Sequence, residues 1–408
     1  MERVTALGTG ASAPEVTRRL ATACRRLRLP PPAGLIGRWL DADAVIAPSV
    51  RLTPDVEIDE ADSGFWFGYL GYPDRDSEAA LPGRVGGHTT GVLILDDGRW
   101  WYRDTDGRDC PDWVRAAVMG GEPVRRSSWS ARWRAPDPDP HGRGVRACLD
   151  AITEGEVYQA CVCTRFDGEI TGSVVDFFAD GVIAHRPRKA AYLAGDWGAV
   201  TSFSPETFLH RRGTRVSSSP IKGTIPAGAD PAELTASTKD VAENIMIVDL
   251  VRNDLGRVAV PGSVRVPELL TVRPAPGVWH LVSTVTATLR PDVDTTALIE
   301  ATFPPASVTG TPKLRARDLL RGWETHPRGV YCGAIGVRGP EGDLDLSVAI
   351  RTVQTTADGR STLGVGGGIT VDSDPAREWQ ECLDKAASTV GLIAGGYDGQ
   401  SSRAANTA

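Results

Sequence analysis

Two short stretches each place a pair of carboxylates at a spacing that chemistry can use. In Ser237–Gly256, Asp240 and Glu243 stand three residues apart, so a helix would put both on one face of its first turns. In Ser373–Lys385, Glu378 and Glu381 repeat that spacing, and Lys385 follows Glu381 by four. Taken alone, such acids also suit the positive end of a helix or a solvated face with a Glu–Lys pair. Four carboxylates in two matching pairs are equally what a hard divalent cation needs, since Mg²⁺ takes oxygen ligands together with an anionic substrate. The run Gly366–Gly368 interrupts a strand-like segment, Thr362–Val371, where bare backbone amides can receive a carboxylate. Arg351, in the apolar run Ser347–Thr352, is either paired structurally or offers a bidentate fork to a carboxylate.

These groups need elements to hold them. Ser237 with Asp240 resembles a capping box and Gly256 a C-terminal stop, which predicts a helix over 237–256. Ser373-Asp374-Pro375 supplies the N-cap and first-turn proline of a second helix. Residues 35–120 alternate apolar and polar positions among glycines and tryptophans, which predicts strands and tight turns. The divisions expected are a β-rich N-terminal region (1–120), a proline-rich linker or surface loop (121–143), a catalytic region (144–395) and a flexible tail (396–408).

Composition bounds the reading. The 408 residues carry a net charge of −7, which argues against a general nucleic-acid binder or a binder of anionic membranes. Seven scattered cysteines without a CxxC motif, no apolar leader and no long apolar span point to a reduced, cytoplasmic protein. Only five of the 45 basic residues are lysine: 189, 222, 239, 313 and 385. Coding bias accounts for the surface arginines, and each position that keeps lysine is a candidate for chemistry that arginine cannot do.

The motifs together resemble the chorismate-utilising enzymes, a family of anthranilate, aminodeoxychorismate, isochorismate and salicylate synthases. The resemblance is carried in order by Gly155–Gln159, Phe203–Leu209, Pro220–Thr224, Lys239–Leu250, His280–Ser283, Ser307–Lys313, Gly329–Gly336, Ala349–Arg351, Gly366–Gly368 and Glu378–Lys385. It implies an α+β fold, a two-layer sandwich of large antiparallel sheets with helices outside, and a Mg²⁺-dependent chorismate site. It further implies Glu243 and Glu381 as direct metal ligands, with Asp240 and Glu378 as nearby or water-mediated acids. Arg351, Tyr331 and the amides of Gly366, Gly367 and Gly368 would receive the substrate carboxylates, while Lys385, Thr309 and His280 would line the pocket.

Two positions narrow the reaction. Gln159 stands where hydroxylating members use a basic lysine, and a neutral amide takes no proton near pH 7. Lys222, in Pro220–Thr224, resembles the covalent nucleophile of the aminodeoxychorismate branch. The expectation is therefore amination of chorismate at C4 with Glu206 as general acid. Ammonia would be taken directly or from a glutamine amidotransferase subunit in trans. Amination at C2 and a non-catalytic chorismate-binding subunit are the alternatives. Ser219, Cys161 and Thr311 depart from the family pattern.

Overall fold

A computed structural model describes residues 2–59, 64–73, 79–120 and 128–394. Two large sheets, one of twelve strands and one of ten, are antiparallel at every described strand pair. Leu35, Val45, Leu193 and Val200 of the first sheet pack against Phe67, Val85 and Val337 of the second, forming the layer between them. Helices Ala13–Leu27, Val174–His185 and Pro375–Val390 cover the outer face of the first sheet through Leu20, Phe178 and Cys382. Helix Thr238–Gly256 covers the second through Ile247, Val251 and Leu255. The expected sandwich with external helices is the observed fold.

Both sheets draw strands from both sides of residue 120. The first sheet joins Ala33–Trp39 to Lys189–Gly195; the second joins Phe65–Leu70 to Ala334–Arg338. The N-terminal region is thus woven into the sheets that carry the site.

The expected loop at 121–143 differs where it is described. Residues 121–127 lie outside the described set, as does the expected tail 396–408. Trp129–Arg134 is a strand paired with Gln159–Gly172, and a helix runs from Pro138 to Thr153. Its prolines look like linker composition, yet Pro138 and Pro140 fall in the first helical turn, where no intrahelical N–H is required. The Asp137 side chain caps that helix by accepting from Asp139 N at 3.0 Å.

Both acid-bearing helices form as expected. Ser237 Oγ accepts from Asp240 N at 3.2 Å, and Asp374 accepts from the amides of Ala376 and Arg377. Gly256 is the last helical residue rather than a left-handed residue beyond the end, and Arg257 caps the helix in ordinary right-handed backbone.

Candidate active site

The chain crosses between the sheets twice at the same place, and each crossing delivers a functional group. Gly198–Ser204 lies in the first sheet and Thr207–Arg212 in the second, with Glu206 at the corner. Leu344–Val348 lies in the second and Thr352–Thr356 in the first, with Arg351 at that corner in left-handed backbone (φ 50°). The corners are tied together: Phe203 N donates to Arg351 O at 3.0 Å, and Val348 N donates to Glu206 O at 3.1 Å.

Next to these corners is a chamber built on the glycine triplet. Strand Arg360–Ile369 pairs Gly366, Gly367 and Gly368 with Cys163, Val162 and Cys161 along one edge, while pairing on its other edge ends at Leu363. The acids occupy space that side chains on these glycines would fill. A Cβ on Gly368 would stand 1.8 Å from Glu243 Oε1 and 3.1 Å from Lys222 Nζ. One on Gly367 would stand 3.1 Å from Glu378 Oε2 and 3.6 Å from Glu381 Oε1. Successive strand residues face opposite ways, so the two helices bring their glutamates to neighbouring glycines from opposite faces.

Each glutamate has its own lysine. Lys222 Nζ lies 2.5 Å from Glu243 Oε1, Lys239 Nζ 2.7 Å from Glu378 Oε1, and Lys385 Nζ 2.6 Å from Glu381 Oε1. Lys385 also donates to the Gly366 carbonyl at 2.8 Å, and Lys239 links the two acidic helices. Burial opposes the charge on Lys222, but the Glu243 carboxylate outweighs it and raises its pKa. Burial also pushes Glu381 up, and Lys385, Lys239 and Lys222 together bring it below its usual range. Asp240 lies against Gly223, where a Cβ would meet its Cγ at 3.2 Å.

The donor set fits a hard cation. It consists of carboxylate oxygens, and Glu378 Oε2 is buried without a hydrogen-bond partner among the described residues. As placed, no three acidic, His or Cys side chains among those residues converge on one point, because each glutamate is turned toward its lysine.

The chamber adjoins a cleft of about 990 Å³ whose walls include Arg351, His280 and Lys385. Arg351 has no acidic partner among the described residues, and burial lowers its pKa. His280 is buried and, with Arg351 nearby, its pKa falls to about 4, so the ring is neutral. Thr224 Oγ1 and His280 Nδ1 share a 2.8 Å hydrogen bond across paired strands. Glu206 is buried too. Desolvation raises its pKa to about 7 despite a hydrogen bond from Ser307 and the Lys222 charge.

Other expected site residues are placed differently. Thr309 is fully buried, and its hydroxyl donates to Pro305 O at 2.9 Å. Tyr331 packs on Gly364 and lines a separate small cavity with Arg328 and Gln354, outside the cleft wall. Gln159 is buried in the strand facing Thr311, with its Oε1 unpartnered among the described residues. Lys313 is not in the chamber: its ammonium binds Asp254 Oδ2 at 2.6 Å and Thr302 O at 2.7 Å.

The sequence did not single out Glu324 and Arg328. This buried pair ties the site's strands together: Arg328 donates to Glu324, to Val308 O at 2.7 Å and to Cys161 O at 2.6 Å, and Glu324 accepts from Cys163 N. Their i, i+4 spacing was visible; their burial was not.

The class of protein follows. Residues 119–391 match the family described as chorismate binding enzymes, and the chain belongs to that family. Among individual proteins, it is 39% identical over 324 residues to aminodeoxychorismate synthase component 1 of Klebsiella aerogenes, a match covering 76% of this chain and 70% of that one. It is 41% identical over 325 residues to the protein of the same name from Salmonella typhimurium, with the same coverage of both chains. In fold it resembles the menaquinone-specific isochorismate synthase of Escherichia coli, with a TM-score of 0.75 at 19% identity, covering 96% of this chain and 94% of that one.

Proposed function

We propose that this chain acts as aminodeoxychorismate synthase component I, converting chorismate and ammonia to 4-amino-4-deoxychorismate and water. The observation that carries this reading is Lys222, a largely buried primary amine that Glu243 holds beside the glycine strand, in the same site as a protonatable Glu206. The relatives named above support the same reaction.

In the proposed mechanism, Arg351 takes one substrate carboxylate. The Lys222 amine, once it has lost its proton, attacks ring C2, both conjugated ring double bonds shift along the ring toward C4, and the C4–O bond breaks. Glu206 delivers a proton to the departing hydroxyl, which leaves as water. It is suited to this because burial holds its carboxyl protonated up to about pH 7. Ammonia then adds at C4, both double bonds shift back, the C2–N bond to Lys222 breaks, and the added nitrogen returns a proton to Glu206. Glu243 and Glu381 would hold Mg²⁺, with Glu378 and Asp240 beside them; when bound, the ion supplies positive charge against the other substrate carboxylate. The ammonia would come from solution or from a separate glutamine amidotransferase subunit.

The test is to incubate the purified chain with chorismate, Mg²⁺ and an ammonium salt, and to identify products by mass before and after lyase treatment. A product that the lyase converts to p-aminobenzoate is expected. Anthranilate alone would overturn the C4 assignment. No turnover with any nitrogen source would favour a binding subunit.

A further inference from the structure

The cleft is larger and more positive than its inner groups require. At about 990 Å³ it lies at the upper end of the range for small-molecule sites, roughly 300–1,000 Å³, so one ring dicarboxylate at Arg351 leaves part of it open. Its walls carry Arg186, Arg188, Arg273, Arg351 and Lys385 against a single acid, Asp384. The chain as a whole is negative, so this local surplus is not a general basic surface. Clefts lined by one sign of charge focus the field and raise the local concentration of an oppositely charged ligand.

Arg273 is placed to use that field. It is the cross-strand partner of His280 in Arg265–Ala275 and Val278–Thr288, and directly opposed residues project from the same face of the sheet. Arg273 therefore stands beside the neutral imidazole of the inner site. It is half-buried and pairs with Glu268, itself a surface carboxylate also bound by Thr284 at 2.9 Å. Arg188 also lines the cleft, directly before buried Lys189 at the start of a first-sheet strand. Burial and then the neighbouring Arg273 charge lower the pKa of Arg188, outweighing the Asp345 and Glu268 carboxylates. Two guanidiniums close enough to repel, with Glu268 as the carboxylate bonded to one of them, are stabilised by an arriving anion.

We propose that Arg188 and Arg273 form an outer anion subsite in the cleft, which receives a carboxylate of the substrate before Arg351 does. The proposal rests on the chorismate reading above for its ligand, a small cyclic dicarboxylate. It gives the two arginines a role in capture rather than in bond breaking.

The experiment compares wild type with Arg188→Gln, Arg273→Gln, the double variant and Glu268→Gln. Turnover of chorismate with an ammonium salt is measured from about 0.01 to 0.15 M ionic strength. The double variant is expected to raise KM about tenfold with kcat within about twofold, and to flatten the salt dependence of kcat/KM. Glu268→Gln, which releases Arg273 from its present partner, is expected to lower KM. Unchanged KM and salt dependence in the double variant, or a fall in kcat at constant KM, would overturn the subsite. A parallel titration with benzene-1,3-dicarboxylate separates this proposal from the assigned reaction. If wild type fails to turn over chorismate, the proposed function falls. The titration still reads the subsite: weaker binding in the double variant supports it, and equal binding overturns it.

Discussion

The chamber and the cleft share a wall but handle charge in opposite ways. In the chamber three glutamates are matched to three lysines, while in the cleft positive groups outnumber acids and Arg351 has no carboxylate among the described residues. A balanced set of hard oxygens can exchange its ammonium partners for a metal ion, whereas an unbalanced guanidinium awaits an anion. In the proposed function the chamber would take the metal ion and the cleft the substrate anion. Lys385 belongs to both, pairing with Glu381 and lining the cleft wall.

The sharpest break of this contrast is Lys222→Ala, which removes the proposed nucleophile and leaves the cleft intact. Product formation followed by mass should fall by at least about 10³-fold with chorismate binding retained; a rate near wild type removes the covalent role. Gly368→Ala drives a methyl group into Glu243 and displaces the Glu243–Lys222 pair, and a shift of that size should cost about 10²-fold in kcat. Gly322→Ala, in helical backbone with open space around it, is the control. Glu206→Gln should cost a similar factor and also change the pH profile. Burial raises the Glu206 pKa, so the group is protonated below about 7, and its contribution as an acid is lost as pH rises through that value. The alkaline limb near pH 7 in wild type should be absent in the variant. Glu381→Gln tests the chamber's affinity for metal: the Mg²⁺ concentration giving half-maximal activity should rise about tenfold, and excess chelator should silence the wild type.

The smallest effect on catalysis is expected outside both regions. Lys189 is the one lysine that the motifs left without a context. Its ammonium lies 2.5 Å from Asp345 and 4.4 Å from the Trp39 ring centroid, bridging a strand of each sheet. Lys189→Met should lower stability by about 3–5 kcal/mol in denaturant titration, because it strands a buried carboxylate, while kcat of the folded fraction stays near wild type. A comparable loss of kcat in the folded fraction would place Lys189 with the chamber lysines.

Much of the site was legible because it is written locally. Caps, first-turn prolines and i, i+3 acid spacing are short-range signals, and both acid-bearing helices begin where those signals put them. The glycine run was legible as a place of close approach, but its neighbours were not. Amides for the substrate were the expectation; the structure adds that the missing side chains make room for the protein's own carboxylates. The stretch after residue 127 was misread because prolines in a first helical turn have the same composition as a linker. Arg351 was expected within a strand-like run and instead turns a corner between sheets, which is why its guanidinium reaches the cleft.

The sequence by itself determined which chemical groups this protein owns: ordered family motifs, two pairs of carboxylates, a glycine triplet, and lysine confined to five positions. It also determined the local elements, because capping and periodicity act over a few residues. Only the tertiary structure decided which groups meet. Lys239 and Glu378 are 139 residues apart in the chain, and Lys189 and Asp345 are 156 apart. All five lysines prove to be paired with an acid. Three of those pairs gather at one glycine strand and two stand apart, and no spacing rule separates the groups. Ion pairs across sheets and helices depend on where the chain returns after long excursions, which is fixed by packing two sheets face to face rather than by any local pattern.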